Sequence, residues 1–165
     1  TSIDLSSFDT SSATIMNQMF HSCSSLTSLS FPSTFVRSGV TSTDYMFFGC
    51  SGLTSLDVSS FDTSSVSNMT HMFFASHSLT SIVGVEDFDI TGLNSTGDLT
   101  NFLTSGKMTT AQYDNLLVNW RAQDPFNGMT PSFGASKYTG GGAAATAHQD
   151  LIDIDGWSIS DGGIA

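Results

Sequence analysis

Four histidines, two cysteines and an ample supply of aspartate and serine are the side chains that could carry chemistry, and their spacing limits what each could do. Serine, histidine and aspartate could form a nucleophilic triad, but no Gly-x-Ser-x-Gly elbow presents a serine for attack. Cys23 and Cys50 stand 27 residues apart, with no Cys-x-x-Cys and no mixed Cys/His metal spacing. Asp153-x-Asp155-Gly156 resembles part of a calcium loop but lacks its twelve-residue ligand pattern, so it reads as a helix end and turn. Gly140-Gly-Gly142 has no following Lys-Ser/Thr and is not a phosphate loop. Asn68-Met-Thr70 and Asn94-Ser-Thr96 are sequons for N-linked glycosylation. The expectation is a protein that is not an enzyme and holds no cofactor.

The elements that position these residues are set by a repeat. Taking the apolar residue after each Leu-Thr-Ser or its equivalent, repeats begin at Ile3, Leu29, Leu56 and Ile82, in steps of 26, 27 and 26. Inside them Phe8, Phe35, Phe61 and Phe88 share one column, and Ala13, Val40, Val66 and Leu93 another. Met19-Phe20, Met46-Phe47 and Met72-Phe73 form a third, continued loosely by Phe102-Leu103, and Leu26, Leu53 and Leu79 a fourth. A repeat this short cannot bury its apolar face alone, whereas stacked repeats bury a continuous one. Ile3-Asp-Leu5, Leu29-Ser-Phe31 and Leu56-Asp-Val58 alternate as short strands do. The Met-Phe segment reads as a single helical or 3₁₀ turn.

In such a stack equivalent side chains become ladders, which bears on the tempting sites. Cys23 and Cys50 share a column with Ser76 in the third repeat and Ser105 in the fourth. Parallel Cβ vectors suit a disulfide poorly, so a thiol ladder is expected. Asp9, Asp62 and Asp89 share a column that Val36 interrupts, and Ser30 interrupts Asp4 and Asp57. The gaps relieve like-charge repulsion, and the aspartates read as turn caps rather than as a structural calcium ladder. His21 aligns with Phe48 and Phe74, His71 with Gln18 and Tyr45, and His77 with Ser24 and Ser51. Three separate columns do not converge as metal ligands would.

From Met108 the period is lost. Thr109-x-x-Gln112 is a capping box, and Tyr113, Leu116, Leu117 and Trp120 line one face of a helix that Asp124-Pro125 ends. Ala143–Ile152 reads as a second helix and Trp157-Ser-Ile159 as a final strand. The expected fold class is an α/β repeat solenoid: a leucine-rich-repeat-like, right-handed stack of ~26-residue repeats with short parallel strands, capped by a small α/β module. The expected boundaries are 1–107 for the repeats and 108–165 for the cap. Because Thr1-Ser2-Ile3 matches Thr54-Ser55-Leu56, the chain reads as the C-terminal piece of a longer protein.

Charge excludes several partners. Arg37, Lys107, Arg121 and Lys137 are the only basic residues, against 14 aspartates and one glutamate, for a net charge of −11. Nucleic-acid binding rests on Lys/Arg contacts to phosphate, and docking on anionic lipid on the same groups. Twenty-nine serines and 20 threonines make the surface hydroxyl-rich instead. No apolar run is long enough for a membrane span, so direct insertion is not expected.

The phrases LDVSSFDTSSVSNMTHMF and IDLSSFDTSSATIMNQMFHSCSSLTS resemble the BspA-like leucine-rich repeat family, well over Ile3–Ser81 and weakly over Ile82–Lys107. Tyr113-Asp-x-Leu-Leu-x-x-Trp120 and Gly156-Trp157-Ser-Ile resemble the C-terminal module that often follows such repeats. The resemblance implies a secreted or surface-attached protein that adheres to a host or neighbouring cell through a glycan or protein. Related arrays in phage fibres imply an alternative, a receptor-recognising fibre tip on a virion surface. A structural filament, with the chain as a homo-oligomeric component, is a further alternative. Tyr45, Phe48 and Phe74 are the partner-binding candidates if their columns face solvent, together with His71 and Arg37. A core position beside Met46 and Phe73 is the competing reading for the aromatics.

Overall fold

The computed structural model describes all residues, 1–165. It is a small α/β protein with short parallel strand pairs and two helices. Each repeat opens on a three-residue strand: β1 Ser2–Asp4, β2 Ser28–Ser30, β3 Ser55–Asp57 and β4 Ser81–Val83. β1 pairs in parallel with β2 and β3 with β4, Ile3 opposite Leu29 and Leu56 opposite Ile82. β1, β2 and β3 each lie one residue earlier than the apolar alternation suggests, with the central apolar residue flanked by serine or aspartate; in β4 Ile82 is flanked by Ser81 and Val83.

Strands are the smaller part of the pairing between repeats. The N–H of Phe20 donates to the carbonyl of Met46, Phe47 to Met72, Phe73 to Phe102, Leu103 to Ser132 and Phe133 to Ser160, at 2.8–2.9 Å throughout. The same ladder thus runs from the first repeat into the segments after Met108. It carries the core with it: Phe20 stacks on Phe47 at 5.4 Å and Phe47 on Phe73 at 5.5 Å, the rings within 6° of parallel. Phe35 is fully buried, whereas its first-repeat equivalent Phe8 is 54% exposed, as are Ile3, Ile15 and Met19 to lesser or similar degrees. Within residues 1–165 the first repeat packs against the second alone.

The Met-Phe segment is not a helical turn. It is a series of hydrogen-bonded turns, such as Met46 N–H to Thr43 and Phe48 N–H to Tyr45. These turns place Gln18, Tyr45, His71 and Asn101 at φ 55–59° and Ser22, Gly49 and Ala75 at φ 59–70°. Left-handed residues break any helix, and each non-glycine one costs about 1–2 kcal/mol that the ladder hydrogen bonds must offset. The fourth repeat also differs from the alignment. Its extra residues place Gly106, not Ser105, after Cys23, Cys50 and Ser76, since each of these N–H groups bonds the phenylalanine or leucine three residues earlier. A Cβ on Gly106 would lie 2.8 Å from Leu103 Cδ1 and 3.2 Å from the Leu79 carbonyl oxygen, so a side chain there would require Leu103 to shift.

The cysteines are free. The Cys50 thiol donates to the Phe20 carbonyl at 3.1 Å, and in the same column the Ser76 hydroxyl donates to Phe47 at 2.8 Å. The column is a small donor reaching back to the preceding repeat. Burial, with the Cys23 thiol nearby, pushes the Cys50 thiol up to about 11.

After the repeats, α1 spans Thr110–Arg121 and α2 Gly142–Asp153. Thr109 and Gln112 close the capping box reciprocally, and Tyr113, Leu116, Leu117 and Trp120 are buried. α1 ends at Arg121, before Asp124-Pro125; Asp124 is already left-handed at φ 52°. α1 packs on α2, and Trp120 meets Phe102 and Phe133 at 5.8 and 5.9 Å. No final strand forms at Trp157–Ile159. Ser160 and Ile164 instead make single parallel bridges to Ser132 and Tyr138, and Trp157 is buried with its Nε1 donating to the Phe126 carbonyl.

Two outcomes follow. Phe73→Ala should destabilise by about 3–5 kcal/mol because it leaves a cavity between stacked rings, while Met19→Ala at the exposed equivalent of Met72 should change stability by less than about 1 kcal/mol; urea unfolding midpoints compare them. With iodoacetamide at pH 8, Cys23 should alkylate in the native protein and Cys50 only on unfolding, read by mass spectrometry; equal rates would contradict this placement.

Candidate functional site

The turns that carry the left-handed residues push two columns of rings outward. His21, Phe48 and Phe74 form one: His21 lies on Phe48 at 4.6 Å and 2°, Phe48 on Phe74 at 5.2 Å and 17°. Tyr45 and His71 form the other, 4.7 Å apart and 3° from parallel. The columns touch, with Tyr45 5.6 Å from Phe48 and His71 5.3 Å from Phe74. His21 is exposed and the other four are half-buried. Neither solvent nor core is the full answer for these aromatics. Four of the five sequence candidates thus lie together, and His21 joins them; the histidines His21 and His71, on separate columns, are brought to one flank because the columns are neighbours.

Phe48 has a ring on each face, so its rim, not its face, reaches outward. Each parallel pair stabilises the flank by about 0.5–1.5 kcal/mol. Thr104 donates to Asn101 Oδ1 at 3.0 Å, which leaves Asn101 Nδ2 to donate to His71 Nε2, also at 3.0 Å. His71 therefore carries its proton on Nδ1, which is buried without a partner. Burial holds His71 below the usual histidine range, so the ring is uncharged at neutral pH. The flank is aromatic and carries no carboxylate in a chain of net charge −11.

Arg37, the fifth candidate, is not part of this flank. It lies in a cleft of about 550 Å³ with Ser33, Ser38, Ser60 and Asp62. Asn68 is half-buried with its Oδ1 accepting the Thr70 N–H at 2.9 Å, whereas Asn94 is exposed. No three His, Cys, Asp or Glu side chains come together as metal ligands. No helix is long and apolar enough to cross a membrane.

The tail contains a cluster that spacing did not reveal. Asp161 Oδ2 accepts from the Tyr113 hydroxyl at 2.6 Å and from His148 Nε2 at 3.1 Å, and Tyr138 stacks on His148 at 4.3 Å. The cluster ties α1, α2 and the C-terminal segment together. Tyr113 is fully buried, so the cluster is a brace and no substrate reaches that hydroxyl. Burial raises the Asp161 carboxyl, but the bonds from His148, Tyr113 and the Gly163 N–H outweigh it and hold it below 3.8.

A depressed folded pKa contributes stability above the unfolded value, lost as pH falls through the folded one. The wild type should therefore be more stable than Asp161→Asn at pH 5–7, with the gap closing only below about pH 3.8. Thermal melts across that range test it, and a gap independent of pH would contradict the role given to this carboxylate.

Neither a curated protein nor a solved structure matches the chain. The family model described as "Mycoplasma protein of unknown function, DUF285" matches residues 1–113, the four repeats and the start of α1. The chain belongs to this family, consistent with a BspA-like repeat protein.

Proposed function

We propose that the chain is a right-handed leucine-rich-repeat-like solenoid that works as a non-enzymatic recognition module on a cell or virion surface. Its partner is a glycan or protein on a host or neighbouring cell. The observation that carries this reading is the flank of His21, Tyr45, Phe48, His71 and Phe74, five contiguous rings only partly covered by the protein. Exposed aromatics concentrate binding energy because they are large and lose little rotamer freedom. The ladder further pre-orders them, so little entropy is lost on binding. The Tyr45 hydroxyl and the His21 ring edge supply polar contacts at the rim.

Binding to host-cell, glycan and matrix-protein arrays tests the reading. The double variant His21→Ala/Tyr45→Ala should retain about the wild-type fold by circular dichroism and bind at least ~10-fold more weakly. Unchanged binding by the variant would remove the flank from the contact surface. Long regular assemblies with no array binding would favour a structural filament instead.

A further inference from the structure

We infer that the cleft around Arg37 is a saccharide-binding site, and that it reads a neutral sugar through paired hydroxyl groups. This rests on the chain being a recognition module but not on the aromatic flank. The cleft lies where the second repeat departs from its neighbours: Val36 stands in the aspartate column, and Arg37 follows it. Its volume of about 550 Å³ is in the range of small-molecule sites.

The groups lining it are uncommitted. The Arg37 guanidinium makes no hydrogen bond within the protein, and its Nε is shielded from solvent without a partner. The two ion pairs of the protein are elsewhere, at Arg121–Asp155 and His148–Asp161. Asp62 uses only Oδ1, which accepts the Ser64 N–H at 3.1 Å and the Ser64 hydroxyl at 2.6 Å, so Oδ2 is a free acceptor. Ser33, Ser38 and Ser60 also line the cleft, and their hydroxyls have no protein partner.

Charge decides between ligand classes. Arg37 is the single cation lining the cleft, Asp62 lines it too, and Asp9 is near enough for Arg37 to help draw its carboxyl down, after the Ser11 bonds. One positive against two negative groups, in a chain of net charge −11, disfavours a bound anion. A polyol fits both partners. One hydroxyl accepts from the guanidinium, which offers five donors and no acceptor, while its neighbour donates to the Asp62 carboxylate, which only accepts. The serines can do either. No aromatic ring lines the cleft, so affinity comes from hydrogen bonds and selection from the spacing of the sugar's hydroxyls.

The test is amide NMR of the whole chain titrated with methyl glucoside, methyl mannoside and methyl galactoside, and separately with glucuronate and sulfate. At least one neutral glycoside should produce saturable shifts confined to residues 33–39 and 59–62. Arg37→Ala and Asp62→Asn should each weaken it at least ~10-fold, as loss of a charged hydrogen bond implies. His21→Ala/Tyr45→Ala should titrate as wild type. The wild-type titration decides even where a variant unfolds: no saturable shift with any of the neutral glycosides, or tighter binding of glucuronate or sulfate, overturns the inference. A failed sugar titration with array binding intact removes the cleft alone. Saturable sugar binding with array binding unaffected by the flank variant removes the flank alone.

Discussion

A repeat built on a three-residue strand has too little surface to bury its own apolar side chains, and it satisfies its backbone largely through the next repeat. The ladder from Phe20 to Ser160 is the physical consequence. Each step aligns equivalent positions and brings rings such as Phe20, Phe47 and Phe73 to stacking distance. Hydrogen bonding and ring packing thus share one register, and a slip in either would disrupt both. The contrast between buried Phe35 and exposed Phe8 shows how much of each repeat's core belongs to its neighbour.

The same register governs the outside. Left-handed residues recur at Gln18, Tyr45, His71 and Asn101, and their turns expose a second row of rings beside the buried one. Parallel rings cover one another's faces, so the flank offers rims and polar tips. A break in the side-chain pattern has the opposite effect: the second repeat keeps the backbone turn, Val40 N–H to the Arg37 carbonyl, but Val36 and Arg37 replace the capping aspartate and the threonine, and the Arg37 Nε stays unpaired beside a cleft. Regularity makes a surface, and irregularity makes a pocket.

The segments after Met108 close the other side of the stack. Phe133 and Ser160 extend its hydrogen bonds, while α1 lays Tyr113 and Trp120 over Phe102 and Phe133. Asp161 then joins both helices through Tyr113 and His148. Burial of Asp155 against Arg121, a 3.2 Å pair, fastens the end of α1 to the turn after α2. The helices are held by polar braces around an apolar lid.

Much of this was legible in the residues. The repeat period, the phenylalanine columns, the capping box at Thr109 and the buried face of α1 are local or periodic, and periodicity survives translation into space as a ladder or a helix face. The gathering of Tyr45, Phe48, His71 and Phe74 was half-legible: the columns could be written down, but not that they adjoin, nor that His21 completes them. Left-handed turns left little mark, because only His71 and Asn101 of the four residues are of types that favour positive φ, and Gln18 and Tyr45 are not. The shift of the thiol column to Gly106, the free donors of Arg37 and the Tyr113–His148–Asp161 brace were equally hidden. Sequence alone determines which residues recur, since that is a property of order along the chain. Tertiary structure decides which columns touch and which polar groups are left unpaired, because both depend on the angle at which each turn sets its side chains against the next.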